Sequence, residues 1–224
     1  MKQNKAAKIL TPVFIFIICV AIFVLVLIKP YTKVKGLMKV AINSASSEDS
    51  GLNITDSDID TSYSGKTYEK GSIEFPKFGE KYAIIKTNAL EGEIPVYWGS
   101  TDELLEKGAC QSSASTVIGK TGNSVISGHV DTVFSGLDKI KKGDKITLYT
   151  NYGRFTYKVT DTVKFMKTDR SYVSSSNEEK LTLYTCKNDI FGSSDVRVAV
   201  IASPEKHEFY NPETGNGSEK ESEK

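Results

Sequence analysis

At 224 residues the chain is long enough for one domain of ordinary size with appendages, and too short for two independent cores. With 29 Lys and Arg against 28 Asp and Glu, the net charge of +1 supplies no long-range field for a nucleic-acid partner, and none is expected. Apolar and charged fractions of 39% and 25% exclude wholesale disorder and a polytopic membrane protein, and three cysteines exclude a disulfide-stapled scaffold.

Residues 9–28 read ILTPVFIFIICVAIFVLVLI without a charge, which as a helix rising 1.5 Å per residue spans about 30 Å of hydrocarbon. One transmembrane anchor is predicted after a short N-terminus, residues 1–8. A cleaved signal peptide would carry a shorter apolar run ending in small residues, whereas Lys29, Pro30 and Tyr31 follow here. Lys2, Lys5 and Lys8 before the span are matched by Lys29, Lys33, Lys35 and Lys39 after it, so charge alone leaves the orientation open. Cys19 within the span reads as a small apolar filler. Residues 29–70 are expected to form a stalk, because 43–70 are mostly Ser, Asp, Thr, Asn and Gly with little apolar surface to offset ordering. Residues 204–224 have the same character and are expected to form a flexible polar tail.

Between 71 and 203, short runs rich in Val, Ile, Thr, Tyr and Phe alternate with Gly, Asn, Asp and Lys turns. Strands are predicted near 72–75, 82–86, 94–98, 124–129, 144–150, 154–160, 181–186 and 196–202. Asn151, Tyr152 and Gly153 read as a three-residue hairpin loop with Gly in the left-handed region. Ser100 with Glu103 fits a capping box for a short helix through Lys107, and SGLDKI after Ser135 predicts another turn or two. About eight strands and a few short helices give a mainly β fold, a closed β-barrel, since closure removes exposed edges.

The chain holds two histidines. His207 falls in the predicted tail, where nothing would fix its ring. His129 closes the strand SVISGH after Gly128, where backbone or ligand can approach closely; from its position alone it reads as a satisfied histidine at a strand end or as a base, and a partner must decide. Cys186 ends the strand LTLYTC, and Lys187, Asn188 and Asp189 read as a loop beyond it. An ordinary cysteine is only a few per cent thiolate at pH 7, so a reactive one needs a cation or base beside it; by itself Cys186 reads as an inert core thiol. Strand alternation places Arg197 with Ala199 and Ile201, opposite Val196, Val198 and Val200. Its guanidinium faces either solvent or a groove in which it can stabilise an oxyanion. There is no HExxH, CxxC or Walker-type loop, so no metal and no cofactor is expected.

The string TLYTC at 182–186, with VISGH ending at His129 and an arginine on the last strand, resembles the sortases, the membrane-anchored cysteine transpeptidases of Gram-positive bacteria. IEFPKFG from Ile73, IPVYWGSTDELLEKG from Ile94, GHVDTVFSGLDKIKKGDKI from Gly128 and YGRFTYKV from Tyr152 extend the likeness over 71–203, and GH-x-DT looks most like class D. The resemblance implies a sortase-like barrel with His129, Cys186 and Arg197 as catalytic residues. It implies cleavage of an LPxTG-like C-terminal sorting signal of a surface protein through a Cys186 thioester, then transfer to an amine of a peptidoglycan precursor. It also selects a cytoplasmic N-terminus and a catalytic domain outside a single-pass cell-membrane anchor. Two departures stand out: KNDIFGSSD after the cysteine is short and polar, and GACQSSAS around Cys110 replaces a Gly-rich segment. Cys110 reads as a buried bystander, with oxidative pairing to Cys186 as the other possibility. Thr185 positions substrate or simply packs, and Asp131 reads equally as a turn cap. The rival readings are a tethered cysteine peptidase that passes the thioester to water, and a non-catalytic binding barrel.

Overall fold

The computed structural model describes residues 53–189 and 192–212, with residues 16 and 18–20; for 186–189 and 192–194 it describes the backbone. The strands are β1 (Thr55–Asp56), β2 (Glu80–Lys86), β3 (Ile94–Trp98), β4 (Ala109–Gln111), β5 (Asn123–Ser127), β6 (Lys145–Thr150), β7 (Gly153–Met166), β8 (Lys180–Asp189) and β9 (Gly192–Phe209). A helix α1 (Asp102–Lys107) precedes β4, and a 3₁₀ turn (Leu137–Lys139) lies between β5 and β6. The predicted 9–28 span lies outside the described residues apart from those four, and among the described residues no helix is long and apolar enough to cross a membrane.

The order β2-β3-β4-β5-β8-β9-β7-β6 closes on itself because β6 also pairs with β2, which makes the expected eight-stranded barrel. The short β1 adds to β2 in parallel. Closure leaves one continuous interior, filled by Ile85, Val96, Ile118, Ile126, Phe134, Ile146, Leu148, Phe155, Tyr157, Leu181, Leu183 and Val200. Phe155 is fully buried and meets the rings of Tyr152, Phe209 and His207 edge-on. Gly119, at φ +85°, packs so closely that a Cβ there would lie 2.4 Å from the Phe155 ring. Phe155→Ala removes the ring without letting this crowded wall collapse, so a loss of about 3–5 kcal/mol is expected, read as a lower denaturant midpoint at unchanged slope.

Several local expectations need correction. Residues 72–75 form no strand; Gly71, just before them, makes an isolated bridge to Pro212, and Phe75 stays exposed. The cap of α1 is Thr101, whose Oγ1 accepts from the Leu104 N–H, one residue after the predicted Ser100. Gly153 begins β7 and is not among the positive-φ glycines, so the β6–β7 connection is Asn151–Tyr152 alone. Thr150 Oγ1 stands in for a turn residue, donating to the Gly153 carbonyl at 3.0 Å and accepting from the Tyr152 N–H at 3.3 Å.

The predicted stalk and tail both lose residues to the barrel. Asp56 accepts from Tyr97 Oη, Ile59 is buried, and Tyr68 exchanges two backbone hydrogen bonds with Phe209. At the other end β9 continues from 204 to Phe209 against β7. Its charged residues find partners across the sheet: Lys145 meets Glu205 at 2.7 Å, and Arg154 grips Glu208 with two nitrogens at 2.9 and 2.8 Å. Those hydrogen bonds hold the Arg154 guanidinium pKa above, and the Glu208 carboxyl pKa below, their ordinary values.

Candidate active site

β8 is the axis of the site. It pairs in parallel with β5, from Asn123↔Lys180 to Ser127↔Tyr184, and antiparallel with β9, from Leu181↔Ala202 to Cys186↔Arg197. Cys186 and Arg197 are therefore direct cross-strand partners. Backbone alternation puts positions 182, 184 and 186 on one face of β8, in register with 201, 199 and 197 of β9. The opposite face carries Leu181, Leu183, Val198 and Val200 into the barrel core, so the 186/197 face is the outer one. The register slips immediately after Cys186, between it and Asn188, and β8 then continues to Asp189 opposite Gly192. The expected loop at 187–189 is instead the end of a long hairpin, and bulges of this kind re-aim strand ends beside functional sites.

His129 lies two residues beyond the last β5–β8 pair, Ser127↔Tyr184. The Gly128 N–H donates to the Tyr184 carbonyl at 3.2 Å, and the buried Thr185 hydroxyl donates to the Gly128 carbonyl. These two bonds tie the residue before His129 to the two residues that precede Cys186. A Cβ on Gly128 would lie 2.7 Å from the Phe134 ring, so glycine is what lets this segment pack. The His129 carbonyl accepts from the N–H groups of Thr132 and Phe134, which folds the following turn, and the His129 side chain is exposed. Neighbouring strands run about 4.8 Å apart, so the backbones bearing His129, Cys186 and Arg197 are three adjacent lines at one end of the barrel.

Arg197 is half-buried beside Phe165 of β7, its register partner on the other side. The Asp195 carboxyl is held below its ordinary range chiefly by Lys167 at 2.6 Å, with a small share from Arg197. Phe165 meets Tyr172 and Tyr184 at 5.2 and 6.4 Å between ring centres, which gives the outer face an aromatic floor. The segment 167–179 crosses this face. Asn123 Nδ2 donates to the carbonyls of Tyr172 and Ser174, and Thr182 Oγ1 lies 2.9 Å from Asn123 Oδ1 and 3.2 Å from the Tyr172 carbonyl oxygen. Asn123 and Thr182 are almost fully buried polar residues, and each finds its hydrogen-bond partners within this cluster.

Two other thiol and imidazole assignments follow from the geometry. Cys110 is fully buried with Tyr97 and Leu104, and burial pushes its thiol pKa up to about 12. It is the inert bystander; Cys110→Ala is expected to leave turnover unchanged, and intact folded protein should show no alkylation at this position in a peptide map at pH 8. The neighbouring Gln111, also buried, accepts from Tyr82 Oη and donates to Ser115 Oγ and the Thr116 carbonyl, so GACQSSAS is a structural node. His207 is not in a tail: it sits in β9 with Nε2 2.9 Å from Glu179 Oε1, and this places it away from the 186/197 end. Among the described residues no group of three or more His, Cys, Asp or Glu side chains is arranged to hold a metal.

Comparison with known proteins agrees with this layout. The chain is 35% identical over 112 residues to sortase D of Bacillus subtilis (strain 168), covering 50% of this chain and 57% of that protein. It is also 35% identical over 98 residues to sortase A of Bacillus anthracis, covering 42% and 46%. The matches thus span about half the length of these curated relatives. Among solved structures, sortase A of Listeria monocytogenes superposes with a TM-score of 0.53 at 26% identity, covering 57% of this chain and 89% of that one. A Clostridium perfringens sortase D5 transpeptidase gives 0.53 at 26% identity, covering 58% and 81%. The sortase domain family model matches residues 73–205, more than half the chain and every strand from β2 to β8, so a barrel with this register and this sequence belongs to the sortase family.

Proposed function

We propose that the protein is a cysteine transpeptidase that cleaves an LPxTG-like sorting signal and joins the surface protein bearing it to an amine of a cell-wall precursor. The observation that carries this reading is the Cys186↔Arg197 pairing on a strand that also holds the His129 segment. Sulfur of Cys186 attacks the carbonyl carbon of the scissile peptide bond, and the resulting oxyanion is met by the Arg197 guanidinium. The C–N bond breaks as His129 gives a proton to the departing amine, which leaves a thioester. The incoming amine attacks the thioester, His129 takes its proton, the C–S bond breaks and the thiolate is regenerated. One amide replaces another, so no energy source is consumed.

The likeness to sortase D of B. subtilis favours class D. The apolar residues 9–28 act as a single membrane anchor, with the barrel on the outer side, where sorting signals and wall precursors meet. Tethering raises the local concentration of membrane-bound substrates by geometry.

The test is to incubate the full chain with sorting-signal peptides, with and without an added amine, and separate the products. Formation of the amide adduct in preference to the hydrolysed acid supports a transpeptidase. Acid as the sole product at every amine concentration identifies a peptidase, and no turnover with an unreactive Cys186 identifies a binding barrel.

A further inference from the structure

Far along β8 from Cys186, a second cluster joins three elements. β9 pairs with β8 only as far as Leu181↔Ala202 but stays with β7 through Phe209, so the strands diverge where residue 179 leads into β8. Glu179 fills that divergence. Its Oε1 accepts from Tyr157 Oη of β7 at 2.7 Å and lies 2.9 Å from His207 Nε2 of β9. The Glu179 and His207 side chains are only 12% and 26% exposed, and the imidazole is wedged edge-on against Phe155 and Phe209.

Glu179 is also the last residue of the segment 167–179 that crosses the 186/197 face. That segment has three anchors. At its start the Lys167 N–H donates to the Asp195 carbonyl at 2.7 Å, two residues from Arg197. In its middle Tyr172 and Ser174 are held by Asn123 and Thr182. At its end stands the Glu179 carboxylate, the one anchor among these built around a histidine.

We propose that Glu179 is a positioning residue: by holding Tyr157 and His207 on one carboxylate oxygen it fixes the segment 167–179 across the Cys186/Arg197 face, so that the grip on peptide substrate weakens when His207 is uncharged. The proposal rests on the transpeptidase reading for the identity of that substrate. Among the described residues, charged groups approach His207 from several elements. Glu69 and Lys70 line the same cleft of about 880 Å³ from the segment before β2, and Lys120 lines it from the connection between β4 and β5. Lys206 and Glu208, its neighbours on β9, engage each other, and Glu208 also binds Arg154. Glu179 is the carboxylate within hydrogen-bond distance of the ring. Its hydrogen bond raises the His207 pKa above the ordinary value, against the opposing effect of burial. A histidine pKa raised in the folded state gives a contribution fully present below the unfolded value near 6.5 and lost as pH rises through the folded value. The clamp is therefore tight on the acidic side of that window and slack on the alkaline side.

The experiment measures kcat and KM of the full chain for transfer of a sorting-signal peptide to an added amine, from pH 5.5 to 8.5, with the titration of His207 followed by NMR in the same protein. The expected result is a KM that rises about threefold or more with the midpoint of the His207 titration. Glu179→Gln keeps a partner for Tyr157 but removes the charge, and His207→Gln removes the titration; both are expected to flatten the KM profile while leaving the pH dependence of kcat in place. A flat wild-type KM while His207 titrates overturns the proposal, as does a slope that survives in both variants. If no peptide is turned over, the transpeptidase reading fails separately, and amide exchange then reads the clamp. Protection of 167–179 that falls as His207 deprotonates supports it, and protection independent of pH overturns it.

Discussion

Alanine at position 186 is expected to leave no transfer of a sorting-signal peptide to an amine and no covalent peptide on the protein. Mass spectrometry of the quenched reaction reads the thioester directly, and chromatography reads the product. The expected loss is complete because, among the described residues of the barrel, no other group stands ready to replace the sulfur, and Cys19 belongs to the proposed membrane anchor. Cys110 is buried with its thiol pKa pushed up to about 12, so at neutral pH it is protonated and out of reach. Residue 185 offers a hydroxyl, but that hydroxyl is buried and donates to the Gly128 carbonyl. Cys186→Ser is expected to fail as well, since a serine hydroxyl without a stronger base is a far weaker nucleophile at pH 7 than a cysteine. Retained thioester formation in Cys186→Ala would move the nucleophile elsewhere and end the proposed mechanism.

The second large effect is at Arg197. Arg197→Ala is expected to lower kcat by about 10²–10³, the cost of removing one oxyanion donor, with a smaller change in KM because the charge it meets develops only in the transition state. Arg197→Lys keeps the charge but not the planar fork, and partial activity between the two is expected. Steady-state kinetics on the three proteins, with melting temperatures to confirm folding, decides the matter. Equal loss in KM with kcat unchanged would make Arg197 a substrate-binding group. His129→Ala tests the third member: slowed acylation with a marked change in the pH profile is expected, because the proton for the leaving amine then comes from water.

Much of this arrangement was legible in the chain itself. The barrel strands follow from alternating apolar runs between turns, and the run LTLYTC followed by DVRVAVIA already places a cysteine and an arginine near the ends of two strands. What the chain does not display locally has physical reasons. β4 is three residues, Ala109–Gln111, too short to show a period. The segment EKHEF reads as tail because its charges suit solvent, whereas Glu205 and Glu208 face Lys145 and Arg154 across the sheet. Residues 53–70 read as a stalk because they are poor in apolar groups, yet a parallel pairing, a buried isoleucine, backbone bonds between Tyr68 and Phe209 and side-chain bonds such as Tyr97 to Asp56 seat them on the barrel.

The sequence determined the kinds of groups available, two histidines and three cysteines, and the alternation that sends Arg197, Ala199 and Ile201 to one side. It did not determine register. Whether Cys186 stands opposite Arg197 or two residues away depends on where β8 and β9 pair, and that is fixed by the closure of the barrel through β2 and β6 together with the bulge after Cys186. The same holds for His207. Local composition made it a solvated residue, and only the divergence of β9 from β8 brought Glu179 and Tyr157 to it from 28 and 50 positions away in the chain. Side-chain chemistry is carried locally, but the free energy of bringing those groups together comes from burying a shared core, which no short stretch of chain contains.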